Sequence, residues 1–480
     1  MLFNSLQFPF FFILLVSLYF TIPYRFRWML LLGASYFFYM CWKVDYILLI
    51  TSSTLIAYWA GLRMAAASDP KRKRNYFILS LVFNLGALFF FKYFNFFSRS
   101  VTLGLNALNI DFSAPVFNVL LPVGISFYTF QILSYTFDVY SGRTPAERHL
   151  GYFALYVSFW PQLGAGPIER SHRMLPQFKG KRDFDYHRVT DGLRLMLWGL
   201  FQKVVIADHL AIYVNRVFNH VDTFQGAPLI IASFFFTFQI YCDFSGYSDM
   251  AVGAARVFGY ELIYNFHRPY FAKSLGEFWQ RWHISLSTWF RDYVYIPMGG
   301  NRVVKWRHYV NLFITFWVSG LWHGANWTFV VWGALHGLLL VVEVATQPFR
   351  QRVIHRWFSN ASSFFCRSVL VGVTFIQVSF AWIFFRANTV GEAFTVIKKI
   401  WAIDSFAAGF KVVGPYSFLF SILLILILVW VHLKERKDRI NHYIGRLSVA
   451  ARWSVYTLVL WAVIISGVFG VRQEFIYFQF

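Results

Sequence analysis

Ten apolar runs, near residues 8–22, 28–42, 46–62, 76–95, 119–139, 191–217, 227–257, 368–386, 416–432 and 454–470, constrain this chain more than any other feature. Stretches of this kind suit a hydrocarbon core about 30 Å thick, and in lipid each backbone N–H and C=O must be satisfied inside its own segment. The sequence as a whole agrees: it is 58% hydrophobic and 14% charged, with a mean hydropathy of +0.50. The expected fold is an all-α polytopic membrane protein of about 10–12 transmembrane or re-entrant helices around a central tunnel or funnel. Residues near 150–168 and 311–344 are the re-entrant candidates. Aromatic residues make up 22%, with 59 Phe, which exceeds what interfacial belts need. Bulky rings are therefore expected to fill the interior as well.

Charge between the runs sets orientation. Arg25 and Arg27, the basic run Lys71–Arg74, Arg143 and Arg148, and later Arg350–Arg356 and Lys434–Arg439 alternate with loops poor in Lys and Arg. Placing these stretches in the cytoplasm gives an extracytoplasmic N-terminus and about ten crossings. The parity closes if 311–344 enters and leaves on one side. The first run is followed by further spans and shows no small-residue cleavage site, so it reads as a span and not a removed signal. A net charge of +22 also favours an anionic cytosolic ligand. The basic residues are dispersed along loops, which argues against nucleic-acid binding. Cys41, Cys242 and Cys366 are scattered and suggest neither a disulfide framework nor a thiolate metal site. No internal repeat is visible.

Chemistry concentrates in Asn311–Val344, which puts His323 and His336 inside an apolar run with Gly320, Gly324, Gly333, Gly337, Trp322, Trp327 and Trp332. An ionisable group at bilayer depth costs several kcal/mol unless it faces a cavity or a partner, and imidazole is the side chain best suited to moving protons near neutral pH. Two readings stand level for such a histidine: proton transfer, or a hydrogen bond to a neighbouring helix and nothing more. Between Gly259 and Tyr309, Arg, Lys and Glu mix with Trp, Phe and Tyr, a pattern of helices lying at the interface or lining a funnel. His283 sits there, flanked by Trp279, Trp282 and Trp289. No H-E-x-x-H pair exists, so no metal is assigned, and Phe244–Asp249 lacks the G-x-S-x-G elbow of a serine hydrolase. General-base chemistry on a hydroxyl remains.

Several motifs carry a resemblance. Phe278–Asp292 (FWQRWHISLSTWFRD), Tyr295–Asn301, Ser319–Trp327 (SGLWHGANW) and Trp332–Gly337 resemble the membrane-bound O-acyltransferase family. Leu121–Phe130, Phe159–Arg170 and Asp243–Asp249 are similar to its bacterial alginate O-acetylation branch, with teichoic acid D-alanylation as the near neighbour. The likeness runs from about residue 115 to 340. It implies one integral-membrane domain over 1–480, with peripheral helices over 1–115, a catalytic core over 116–345 and C-terminal helices over 346–480. His323 takes the family's catalytic-base position. His283 takes the second signature position, held by His or Asn in the family, where a hydrogen bond would polarise the acyl carbonyl or orient the substrate. Trp279, Arg281, Trp282, Arg291, Asp292, Trp322, Asn326, Trp327 and His336 are assigned to the substrate and donor path, His336 more as packing than as chemistry.

The resemblance further implies no bound cofactor, cytosolic acetyl-CoA as acyl donor, and a polysaccharide acceptor outside a bacterial inner membrane. An exported SGNH-type, esterase-like acetyltransferase is the expected partner, besides membrane lipid. The donor's phosphates would suit a basic face around Lys273, Arg281 and Arg291, while Arg302 and Lys305 fit better as positive-inside anchors. Two alternatives remain: D-alanyl transfer from a carrier protein to teichoic acid, and a transporter for a lipid-linked sugar. The latter usually shows pseudo-symmetric repeats, which this chain lacks.

Overall fold

A computed structural model describes residues 1–118, 120–357, 364–402, 405, 407–435, 438–469 and 475–476. The first residue of the expected span 119–139, the last of 454–470, and parts of the basic stretches Arg350–Arg356 and Lys434–Arg439 lie outside the described residues or side chains. Among the described residues every regular element is a helix. Among the described residues eight helices are long and apolar enough to cross a membrane: Tyr46–Ala66, Pro70–Ala107, Tyr186–Phe218, Ala227–Val257, Trp327–Ala345, Phe364–Arg386, Pro415–Lys434 and Val449–Ser466. Gln7–Thr21 is apolar but shorter. The helix Ile125–Tyr140, expected as a span, buries all its side chains except Phe137 and Tyr140. Its apolarity reflects burial in protein, which hydropathy cannot separate from burial in lipid.

The chain forms two compact units, Met1–Leu193 with Met250–Ile263, and Arg194–Asp249 with Tyr264–Phe480. In the first unit, phenylalanine does fill the interior. Trp160, fully buried, is ringed by Phe3, Phe8, Phe11, Phe12, Phe38 and Phe258 at centroid distances of 5.5–6.3 Å. Polar groups follow the Phe159–Arg170 motif into this core. The Tyr156 hydroxyl bridges the carbonyls of Gln131 (3.1 Å) and Glu169 (3.0 Å), and the Gln162 amide donates to the Tyr156 carbonyl (2.7 Å). Glu169 is fully buried and accepts the Ile263 N–H.

The second unit holds a helical hairpin. Lys305–His323 turns at Gly324, Ala325 and Asn326 and returns as Trp327–Ala345. Gly320 meets Gly333, and Gly337 meets Phe313, so the arms run antiparallel. A Cβ on Gly320 would lie 2.8 Å from the Gly333 Cα, and one on Gly337 would lie 3.1 Å from the Phe313 Cα. Small residues are what let two backbones approach this closely where lipid supplies no hydrophobic drive between helices. Asn326 caps the returning arm, accepting from the Thr328 N–H at 3.1 Å, and its amide donates to the Asn388 carbonyl at 2.9 Å.

Candidate active site

His283, His323 and His336 all lie in the second unit. His323 is the last residue of its hairpin arm, and His336 lies within the returning one. His283 stands between two short helices, Leu275–Arg281 and Ile284–Phe290, where the backbone turns left-handed (φ 44°, ψ 54°). Few L-residues tolerate that region; Asn, Asp and His are enriched in it. The first short helix is pinned at its start. Ser274 accepts from the Glu277 N–H (3.1 Å), and the Glu343 carboxylate of the hairpin accepts from the N–H groups of Leu275 (2.7 Å) and Gly276 (3.2 Å). A carboxylate on the orphan donors of a helix N-terminus is favourable twice over, by hydrogen bonding and by the helix dipole. This tie sets Trp279 against the hairpin.

The fold brings the histidines into one aromatic cluster. The rings of His283 and His323 have centroids 6.4 Å apart. Phe244 meets His283 edge to face at 4.5 Å, and Trp322 lies 5.1 Å from His323. Trp332 touches both His323 and His336, 4.9 Å from each, and stacks on Trp382. Trp279 lies 5.1 Å from His336 and Phe385 lies 5.6 Å from His323. Exposure is 0% at His283 and His336 and 3% at His323, so bulk water is excluded. Burial pushes the His283 imidazole down from its ordinary value to about 3, which keeps it neutral at physiological pH. Among the described residues, neither ring nitrogen of His336 has a hydrogen-bond partner, and the indole N–H groups of Trp279, Trp282, Trp332 and Trp382 have no acceptor. His336 and these four indoles therefore hold hydrogen-bonding capacity that no described residue takes up.

Two cavities share walls with this cluster. One, of about 560 Å³, is lined by polar groups, including Lys203, Asp208, Gln239, Asp243, Asn326 and Arg386, and by Phe385, which touches His323. The other, of about 360 Å³, is largely apolar, with Ile284, Phe290, Leu312, Phe316, Ser319 and Trp279, which touches His336. In the polar wall the Lys203 ammonium donates to Asp208 (2.8 Å) and to Asp243 (2.5 Å). Lys203 sits on a π-helical turn, Gln202–Ala207, and the preceding Gln202 bonds Asp249 and Ser245, each at 2.9 Å. The Asp243–Asp249 motif is thus a polar stripe that satisfies this turn. Among the described residues no group of three or more His, Cys, Asp or Glu side chains is placed to hold a metal ion.

The residues singled out from sequence divide three ways. His283, His323, His336, Trp279, Trp282 and Trp322 are buried in or against the cluster. Arg281 pairs with Glu277, and Arg291 with Asp292 at 2.8 Å; Arg291 also lines the apolar cavity. Asn326 is a helix cap on the rim of the polar cavity, and Trp327 is 53% exposed. Phe244, Trp382, Phe385 and the Lys203 triad were missed. The aromatic three carry no signal inside apolar runs, but Lys203, Asp208 and Asp243 do, as ionisable residues within membrane-length helices.

The chain is thus a multi-pass helical membrane protein that brings two buried imidazoles within 6.4 Å of each other, ring to ring. Residues 145–385 match the model of the membrane-bound O-acyltransferase family, and the chain belongs to that family: it is an O-acyltransferase. It is 40% identical over 407 residues to the probable alginate O-acetylase AlgI of Azotobacter vinelandii, a match covering 84% of this chain and 78% of that protein. To the peptidoglycan O-acetyltransferase of Helicobacter pylori it is 36% identical over 409 residues, covering 78% and 74%. To the teichoic acid D-alanyltransferase of Streptococcus thermophilus it is 30% identical over 236 residues, covering 46% and 57%.

Proposed function

We propose that the chain moves a short acyl group, acetyl, from cytosolic acetyl-CoA across a bacterial inner membrane for O-acetylation of an extracytoplasmic cell-envelope polysaccharide, delivering it to an exported esterase-like partner of the SGNH type. The observation that carries this reading is the buried His283–His323 pair, 6.4 Å between rings, with a polar cavity beside one histidine and an apolar one beside the other's neighbours. In the reaction, a hydroxyl oxygen attacks the thioester carbonyl while His323 takes the hydroxyl proton. The C–S bond breaks, the thiolate leaves, and it receives that proton back from the imidazolium. His323 ends a helix, and the negative end of the helix dipole favours the charge the ring gains on the way. Neutral His283 donates to the carbonyl oxygen as negative charge builds there. The aromatic wall keeps water from the thioester. Trp279, Trp282, Trp322, Arg281, Arg291, Asp292, Asn326, Trp327 and His336 flank the path.

Acetyl is favoured over D-alanyl because the acetylating relatives match about four-fifths of the chain at 36–40% identity, while the D-alanylating ones match 46% and 57% of it at 30% and 25% identity. Sidedness follows the positive-inside rule. Lys305 and Arg307 open the hairpin and Arg350 follows it, which reads as the cytoplasmic end, with the chain's N-terminus outside.

The test uses the full chain in proteoliposomes, with acetyl-CoA inside or outside and acceptor on the opposite face. His323→Ala is expected to insert and melt like the parent yet to lose on the order of 10²–10⁴-fold in acetyl transfer, the usual worth of a general base. Full transfer by that variant removes the histidine from the mechanism. Faster transfer from a D-alanylated carrier than from acetyl-CoA overturns the donor assignment.

A further inference from the structure

A helix normally takes its N-cap from the residue just before it, whose side chain accepts from the second or third N–H of the first turn. For Ile284–Phe290 that residue is His283, and its side chain makes no cap bond; the ring points to Phe244 and His323 instead. The missing acceptors come from a separate segment. The Asn265 carbonyl accepts the Ile284 N–H at 2.9 Å, and the Asn265 Oδ1 accepts the Ser285 N–H at 3.3 Å. Its Nδ2 donates to the Ser248 hydroxyl at 3.2 Å. Ser248 lies one turn beyond Phe244 on the helix Ala227–Val257, so Asn265 ties the His283 corner to the helix whose Phe244 ring abuts the imidazole. The neighbouring bond from the His267 N–H to the Arg281 carbonyl, at 2.9 Å, holds the other side of the corner. Asn265 is 1% exposed and uses its carbonyl, its amide oxygen and its amide nitrogen at once.

We propose that Asn265 is a positioning residue for acyl transfer: by capping the second short helix in place of His283, it holds the left-handed corner and commits the imidazole to face His323. This rests on the reading of His323 as general base and His283 as its companion. An Asn is well matched to the task, since it offers an acceptor to a helix N-terminus and a donor to Ser248 in one short, rigid side chain.

The experiment measures acetyl-CoA turnover by the full chain in proteoliposomes for Asn265→Ala, Asn265→Asp and His323→Ala, alongside melting in detergent. A side chain displaced by about 1 Å costs on the order of 10²-fold, so Asn265→Ala is expected to lower kcat about 10- to 100-fold while the donor KM stays within about twofold. Asn265→Asp keeps the acceptor and is expected to recover to within about threefold of the parent. Parental kcat in Asn265→Ala, or equal impairment of the Ala and Asp variants, overturns the proposal. Where Asn265→Ala does not accumulate in the membrane, Ser248→Ala is read instead, because it removes only the anchor of the Asn265 amide. There a kcat lowered at least threefold supports the proposal, and an unaltered one overturns it. Turnover lost in His323→Ala but intact in Asn265→Ala overturns the positioning role alone; turnover intact in both overturns the general-base reading beneath it.

Discussion

His283 shows why one residue position can answer to two demands. The family resemblance fills it with His or Asn, both able to donate a hydrogen bond to an acyl oxygen. The backbone supplies a second reason, since φ 44° lies where Asn and His are among the few tolerated L-residues. The two demands overlap in the same pair of residue types. Glu169, in the first unit, is a different case. Burial pushes its carboxyl up to about 7, against the opposing pull of its bond from the Ile263 N–H and of Arg173 and Arg170. The folded state therefore holds a proton that the unfolded chain releases near the ordinary value, and stability must fall as pH rises from about 4.5 through about 7. The melting temperature in detergent is expected to be higher at pH 5 than at pH 8, and Glu169→Gln to flatten that slope; an unchanged slope rules Glu169 out as the source. Histidines in an apolar run were legible as residues. The rings that enclose them were not, because a Phe or Trp inside a span looks the same whether it faces lipid or a catalytic centre.

The hairpin holds together by close approach of its two arms. Gly320, Gly333 and Gly337 meet backbone across the hairpin, while Gly324 lies against the Phe329 ring. A Cβ on Gly333 would sit 2.5 Å from the Phe316 carbonyl oxygen and 2.8 Å from the Gly320 Cα. Gly333→Ala is expected to splay the arms, carrying His336 and Trp332 with one of them, and to cost both folded yield and transfer. Gly372, inside Phe364–Arg386, has nothing within 4 Å of its Cβ position. Gly372→Ala is therefore expected to be neutral or to stabilise by up to about 1 kcal/mol, the helix-propensity difference. Melting and size-exclusion profiles of the two variants check the contrast. Equal tolerance at both glycines would mean that close packing at the crossing is dispensable. The π turn at Gln202–Ala207 was not legible, because no local residue pattern announces it; it is held by side chains from Ala227–Val257.

At the scale of the molecule, the question is which face meets which compartment. Asn388 is exposed and bonded by Asn326 at the hairpin's turn, while Lys305 is exposed at its opening. With Cys41, Cys242 and Cys366 replaced, a membrane-impermeant thiol reagent applied to intact cells is expected to label Asn388→Cys and to spare Lys305→Cys until the membrane is broken. The reverse pattern inverts the assigned topology. Arg386, Lys398, Lys399 and Lys411 run against the charge rule at the Asn388 end; of these, the Arg386 guanidinium donates to the Asn215 and Asn219 amide oxygens and the Lys399 ammonium to the Val221 and Asp222 carbonyls. By itself the sequence determined that the chain is helical, lies in a membrane, and carries imidazoles where lipid makes them expensive, because hydrophobic length and the cost of buried ionisable groups are properties of a linear run. Only tertiary structure decided that His283 and His323 meet, that Asn265 caps a helix it does not adjoin in sequence, and that Lys203 has carboxylates at hand. Those facts depend on which helix faces pack together, and packing is set by contacts between residues far apart along the chain.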